Sequence, residues 1–492
     1  MATADLTVDE REAEPTRGKP SRRWLKRTLL ILLAIIVLLL VIVIGLLLYF
    51  HIPQNAAAMA AKGVCSGTFV AGRQGNVFEE DIAPESPAFK LVSTSIDRDQ
   101  KSVTGKFLGL FEARASLLDG RGCVLFEDPE PSSTAYKPAP PNPAPWPQGD
   151  AAVPQAQWGP GISAPQLEQV LNSAMAGAGD PNGSNPRGVA VVQNGRLLAA
   201  RQAAGFPQGT ALMGWSMTKS VAAMLFYKKA TEAGLDISRP VVDAFPAGKA
   251  PAWVAQWQQD DRKKITISDL AFMRSGLDIS ESYQPWGDVV EMLDGQPDMA
   301  AWAAGHGLAH DPASFWLYTS GGSNIFSRVT LGQFASEEAY WDYTKTALLD
   351  PIGVKTATLE TDTSGTWVGS SYLWASAEDW ARLGQLWLND GKWGDQQVLP
   401  PGWMKLSTTP AMPDGEGHGY GFQTWLWGDP ADGECKTYPG VPADTYAMEG
   451  HWGQIVAVIP SRKAVISRLG WTVNGSFDGC QLVSDVVATL PR

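Results

Sequence analysis

The longest unbroken apolar run in the chain is Leu29–Phe50, LLILLAIIVLLLVIVIGLLLYF, with no charged or strongly polar side chain. At about 1.5 Å per residue, a helix of this length spans roughly 33 Å, enough to cross a hydrocarbon core of about 30 Å. Arg22, Arg23, Lys26 and Arg27 precede it, with Arg17 and Lys19 farther upstream, and the first acids after it are Glu79, Glu80 and Asp81. The positive-inside rule therefore predicts a cytoplasmic tail over 1–28, a single transmembrane helix over 29–50, and everything beyond it outside. A cleaved signal peptide is the alternative, with Ala58-Met59-Ala60 as an A-x-A site. The run exceeds the usual signal core of about 7–15 residues, which favours an uncleaved anchor.

Past the apolar run the pattern changes to short alternating stretches. HIPQNAAAMAAKG (51–63) reads as a stalk, and GTFVAGR, KSVTGKFLGLFEARASLLDG and RGCVLFED read as short strands with turns. Residues 51–128 are thus expected to form a stalk and a small β-rich accessory region. KPAPPNPAPWP, within 129–163, excludes helix and central strand because proline lacks an N–H donor and fixes φ, so this segment is expected to be an extended linker or strap. Residues 164–492 carry the main domain. APQLEQVLNSAMAG has helical periodicity, and RGVAVVQNGRLLAARQ gives two strands around Asn194-Gly195. WSMTKSVAAMLFYKKATEAG, ITISDLAFMRSGL and SAEDWARLGQLWLNDG read as helices. HWGQIVAVIPSRKAVISRLGW reads as two strands joined at Pro460-Ser461, and QLVSDVVATL as a closing helix. Strands at both ends with helices between predict an α+β domain with an antiparallel sheet.

Composition narrows the choice of partner. The apolar fraction of 44% and charged fraction of 18% are those of a globular protein, and a net charge of −12 argues against nucleic acid, which needs a basic face. The four cysteines, Cys65, Cys123, Cys435 and Cys480, all follow the apolar run and form no C-x-x-C pair. Outside the cytoplasm they read as two disulfides rather than a metal site, with buried free thiols as the alternative. Of the three connectivities, Cys65–Cys123 with Cys435–Cys480 is favoured, because the proline-rich stretch separates the two pairs. No metal or cofactor is expected: there is no H-E-x-x-H, and His418 in GEGHGYGF has no partner at ligand spacing.

Ser216-Met217-Thr218-Lys219 is the only S-x-x-K in the chain. It sits at the predicted start of a helix, with Lys219 one turn after Ser216 on the same face. A serine hydroxyl needs a neighbour to take its proton, and a desolvated lysine held neutral is able to do so. The helix start also offers backbone N–H groups to a developing oxyanion. By itself the motif more often marks an N-cap serine and a solvated lysine. Two further segments change its weight. Tyr318-Thr319-Ser320 lies between predicted helices, and His451-Trp452-Gly453 opens the C-terminal strand pair.

In that order, S-x-x-K, Y-x-S and H-x-G resemble the signature of the serine β-lactamases, penicillin-binding proteins and related esterases, in particular the class C β-lactamase-like branch that includes the aminohexanoate-dimer hydrolases. The phrases GWSMTKS, YTSGGSN and GHWGQ also resemble that branch, and the resemblance covers roughly residues 164–492. It implies a β-lactamase/transpeptidase-like fold, an antiparallel sheet with flanking helices plus a helical subdomain. It also implies an acyl-enzyme on Ser216, Lys219 as general base, Tyr318 as proton relay and Ser320 bonded to the lysine. The oxyanion hole would be the N–H groups of Ser216 and Gln454, the latter following Gly453 on the edge strand, with His451 and Gly453 lining the cleft and the glycine admitting substrate closely. Ser320 and His451-Trp452 depart from the Y-x-N and K-T-G of enzymes that hydrolyse antibiotics, and the lost lysine removes a partner for a substrate carboxylate. Neutral esters, amides or D-amino-acid peptides are the expected small-molecule or peptide substrates. A cell-wall carboxypeptidase and a catalytically idle envelope scaffold are the alternatives. With the anchor, the resemblance places the catalytic domain in the periplasm of a bacterium, tethered to the inner membrane. Tyr283 and Trp286, in SYQPWGD, are candidates for the border of the cleft, with packing the favoured reading, and Asn182 and Asn474 read as turn positions.

Overall fold

The computed structural model describes residues 22–118, 120–127 and 142–491. Most of the expected cytoplasmic tail, Asp128 at the end of the expected accessory region and residues 129–141 of the expected linker lie outside them. Helix α1, Arg22–Tyr49, lies in a unit separate from the rest of the chain; within Lys26–Tyr49 an 18-residue window has a mean hydropathy of 3.7, and the helix is long and apolar enough to cross a membrane.

The rest of the chain, from Pro53 on, is a single unit. The segment expected as a stalk is instead helix α2, Ile52–Cys65, with Ala57, Ala58, Ala60 and Ala61 fully buried. Alanine has the highest helix propensity, and a face without bulk allows close approach to a neighbour. That neighbour is an antiparallel four-stranded meander of β1 (Val92–Asp97), β2 (Ser102–Phe107), β3 (Phe111–Leu118) and β4 (Gly122–Leu125). A Cβ at Gly105 of β2 would lie 2.1 Å from the Ala57 carbonyl, so only glycine fits there. Cys65 at the end of α2 is bonded to Cys123 in β4.

Beyond the undescribed part of the linker, the chain runs as a strap. Trp146 is buried in the main core, and Arg382 holds the strap by donating to the carbonyls of Pro147 and Gly149 and pairing with Asp150. Helix α3 (Ala164–Ala174) leads into the hairpin of β5 (Pro186–Gln193) and β6 (Arg196–Gln202), which turns at Asn194-Gly195. A short strand β7 (Leu212–Met213) is followed by α4 (Met217–Ala233), which Gly234 terminates in the left-handed region, where glycine carries no Cβ penalty. The middle of the chain is helical, including α5 (Asp288–Gly295), α6 (Met299–Ala304) and α7 (Ser320–Gly332). The expected helix in ITISDLAFMRSGL is limited to Ile267–Ala271. Strands β8 (Thr358–Leu359) and β9 (Leu373–Ala375) form a small antiparallel sheet with β7, and α8 (Ala377–Leu388) follows.

The C-terminal part contributes β10 (Tyr446–Gly450), β11 (Gln454–Ile459), β12 (Ala464–Gly470) and α9 (Gly479–Ala488), with Cys435 bonded to Cys480 of α9. The main sheet is antiparallel throughout, in the order β10-β11-β12-β5-β6. Gln454 was expected on the edge strand. It begins β11 instead, one strand in, because His451-Trp452-Gly453 is a turn that folds residues 446–450 back as an additional edge strand. Trp452 and Gly453 take φ of 60° and 80°, the left-handed values such a turn requires.

Candidate active site

Ser216 is the N-cap of α4, and the residues before it fix its position. Gly214 donates its N–H to the Leu373 carbonyl of β9, and a Cβ there would sit 2.1 Å from the Trp380 ring, so the chain passes where only glycine can. Trp215 takes φ 48°, a left-handed value unusual for a bulky residue and of the kind held in place at functional sites by dense surroundings. Its ring is gripped by His451, Trp452 and Trp471. Thr218 accepts from the N–H of Leu373, and Ser220 donates to the Gln423 carbonyl, locking the first turn of α4.

One turn on, Lys219 is 1% exposed. Its Nζ lies 2.8 Å from Ser216 Oγ, 3.0 Å from Ser320 Oγ and 3.0 Å from the Ser370 carbonyl. Burial lowers its pKa to about 8, against the opposing pull of the Glu281 carboxylate. About a tenth of the amine is then neutral at pH 7. Glu281, from the loop preceding α5, accepts from both the N–H (2.7 Å) and the hydroxyl (2.6 Å) of Ser320. A continuous path therefore runs from Ser216 through Lys219 and Ser320 to Glu281.

Two phenols flank the serine. Tyr318 stands before α7, its ring stacked on Trp425 and 4.9 Å from Lys219 Nζ. Tyr283 stacks face to face on His451 with ring centroids 4.0 Å apart. Burial raises both phenols well above the ordinary tyrosine range; carboxylate and phenol neighbours add to this, and an interaction of each with the Ser216 hydroxyl opposes it. Both are neutral at physiological pH. Burial lowers His451 to about 4, so it is neutral as well.

The structure thus brings Ser216, Lys219, Tyr318, Ser320 and His451 into one cluster. Gly453 plays a different part from the one expected: a Cβ on it would strike Arg468 at 2.7 Å and Phe477 at 2.9 Å, so it serves the turn and its packing and does not open a path for substrate. The glycine that makes a close approach is Gly450, whose Cβ would lie 2.2 Å from the Gly214 carbonyl and which docks the end of β10 beside the nucleophile. Gln454 is fully buried, paired in register with Gly450, and its side-chain amide binds the carbonyls of His451, Trp452 and Gly470. Sequence reasoning passed over Glu281 and Ser370, and for Tyr283 it favoured packing over a place at the border of the cleft. Trp286 is 58% exposed.

A sequence model of the beta-lactamase family matches residues 167–477. The chain belongs to the beta-lactamase family. Solved structures with the same fold include a family VIII carboxylesterase (14% identity, TM-score 0.52, covering 67% of this chain and 99% of that one). A hydrolase with promiscuous acyltransferase activity (14%, TM-score 0.51, 66% and 98%) is similar, as is a protein assigned as a 6-aminohexanoate-dimer hydrolase from Bacillus anthracis (18%, TM-score 0.50, 64% and 80%). No curated protein matches the chain. The match spans Ser216, Lys219, Tyr318 and His451, which makes this cluster the candidate active site of a beta-lactamase-related serine hydrolase.

Proposed function

We propose that the protein is a membrane-anchored, extracytoplasmic hydrolase that cleaves a neutral ester, amide or peptide through an acyl-enzyme on Ser216. The observation that carries this reading is the buried Lys219 amine 2.8 Å from Ser216 Oγ, with its pKa lowered to about 8. In the neutral form, Lys219 accepts the Ser216 proton as the oxygen attacks the substrate carbonyl. The N–H groups of Ser216 and Gln454 are assigned to the developing oxyanion. The high-pKa phenol of Tyr318 is a proton donor at rest; it delivers a proton to the leaving group and is reprotonated from Lys219. Water then attacks the acyl-serine, its proton returns through the same pair, and the acid leaves. The neutral His451, where related enzymes carry lysine, offers no charge to a substrate carboxylate, in keeping with uncharged substrates. Helix α1, preceded by basic residues, is assigned as the anchor, with its N-terminus in the cytoplasm.

Turnover of a panel of p-nitrophenyl esters and p-nitroanilides by the full chain tests this reading. Ester cleavage is expected, lost in Ser216→Ala; a Ser216→Ala variant with wild-type turnover contradicts it. The pH dependence follows from Lys219. Only the neutral amine accepts a proton, so kcat/KM rises with pH through about 8 and then levels. The Glu281 charge favours the protonated amine, so Glu281→Gln, which keeps an acceptor for Ser320, moves the inflection to lower pH. An unmoved inflection separates Glu281 from control of Lys219.

A further inference from the structure

The turn between β2 and β3 carries an apolar tip. Leu110 is 79% exposed, more than any other large apolar side chain among the described residues, and Leu108 is 58% exposed. Leu91, just before β1, is also exposed, and its carbonyl accepts the Leu108 N–H. Single exposed leucines are ordinary on a folded surface, whereas three at one tip form a patch.

The backbone of the turn sharpens the contrast. Phe107 pairs with Phe111, and the Leu110 N–H closes the turn on the Phe107 carbonyl. Leu108 and Gly109 both take left-handed φ, 51° and 70°. A turn of this hand favours Asn, Asp or Gly at its first central position, and so does water. Leucine at 108 therefore goes against the local backbone preference and against solvation together, a cost that an apolar partner for the side chain offsets.

The place of the tip points to that partner. Gln54, in the first turn of α2, donates to the Glu112 carbonyl, two residues from Leu110. At its other end α2 is bonded through Cys65 to Cys123, which pairs with Leu117 far along β3. The chain thus enters the accessory region at the end that carries the leucines. Gln54 follows Tyr49, the last residue of α1, by five residues, a reach of at most about 18 Å. Lys90, exposed beside Leu91, adds a cation suited to lipid phosphates.

We propose that the β2–β3 turn is a second membrane contact, with Leu108 and Leu110 inserted among the lipids of the extracytoplasmic leaflet and Leu91 at its surface. The inference rests on α1 being the anchor. One spanning helix leaves the body behind it free to swivel, and a second contact at the point of entry holds the hydrolase domain at a set tilt to the membrane.

The test uses the full chain reconstituted in vesicles of phosphatidylcholine and phosphatidylglycerol. All four cysteines lie in disulfides, so an introduced cysteine alone takes an environment-sensitive fluorophore. It is placed by Leu110→Cys at the tip, by Leu39→Cys within α1, or by Asp99→Cys in the β1–β2 turn at the opposite end of the sheet, where it controls for the fluorophore's own affinity for lipid. Doxyl-labelled lipid is expected to quench the labels at 110 and 39 but not at 99, and iodide on both faces of the membrane to do the reverse. Adding Leu108→Asn to Leu110→Cys is expected to lower the ratio of immersed to free tip by about tenfold, the scale of withdrawing one leucine side chain. Asparagine suits the left-handed turn, and an unchanged melting curve checks that the hairpin persists. Iodide quenching at 110 equal to that at 99, with 39 shielded, overturns the proposal and leaves the anchor standing. An exposed label at 39 overturns the anchor and the proposal with it. Shielding at 110 that fades as the protein is diluted in lipid marks a contact with a second copy and overturns the proposal, as does shielding unchanged by Leu108→Asn.

Discussion

Lys219→Ala is expected to lower kcat/KM by about 10²–10⁴-fold, the scale a positioned general base supplies. The lysine touches Ser216, Ser320 and the Ser370 carbonyl, so a loss of activity in Lys219→Ala alone also fits a disturbed pocket. Lys219→Arg separates the two explanations. Arginine keeps the cation and its donors but does not lose its proton near neutral pH. If Lys219 acts by taking a proton, the arginine variant is as inactive as the alanine variant and its pH profile no longer rises through about 8. Substantial turnover in Lys219→Arg would mean that a positive charge, not a base, is what Ser216 needs.

Glu360→Ala is expected to destabilise the folded chain by about 3–5 kcal/mol, the usual result of removing one partner of a buried ion pair. Glu360 is fully buried between the accessory region and the hydrolase domain. Its carboxylate takes the Lys62 ammonium at 2.9 Å, the Ser66 hydroxyl at 2.7 Å, the Cys123 N–H at 2.9 Å and the Trp374 indole at 2.8 Å. Three of those donors belong to α2, to the turn after it and to β4, and the fourth to β9. Removing the carboxylate strands Lys62, whose pKa burial already lowers and which Glu360 holds up. Pairing Lys62→Met with Glu360→Gln removes the uncompensated charge, so the double variant should melt above Glu360→Ala. Equal melting of the two, measured by calorimetry, would show that the charge pair does not join these parts.

Helices with large apolar residues at regular spacing, such as those around Leu167 and Trp380, were legible from sequence because their burial is written into a local period. The stalk reading of 51–63 failed because an alanine face carries no such period; its burial depends on Gly105, far away in sequence. Strand β10 escaped because the turn that creates it relies on Trp452 adopting a left-handed φ, which residue type does not announce. Ser216 and Lys219 were readable because one helical turn links them. Glu281 was not, since it acquires meaning only when the chain returns through Ser320, 39 residues later, to meet it. Tyr283 was underestimated for a related reason, because its stacking on His451 joins segments that only the fold brings together.

The most direct measurement is the mass of the peptide bearing residue 216 after a fluorophosphonate meets the full chain at pH 6 and at pH 9. A single adduct on Ser216, formed faster at pH 9 and absent in Ser216→Ala, is the expected result. An adduct on another residue, or one formed equally fast at both pH values, would contradict a serine activated by the neutral amine of Lys219.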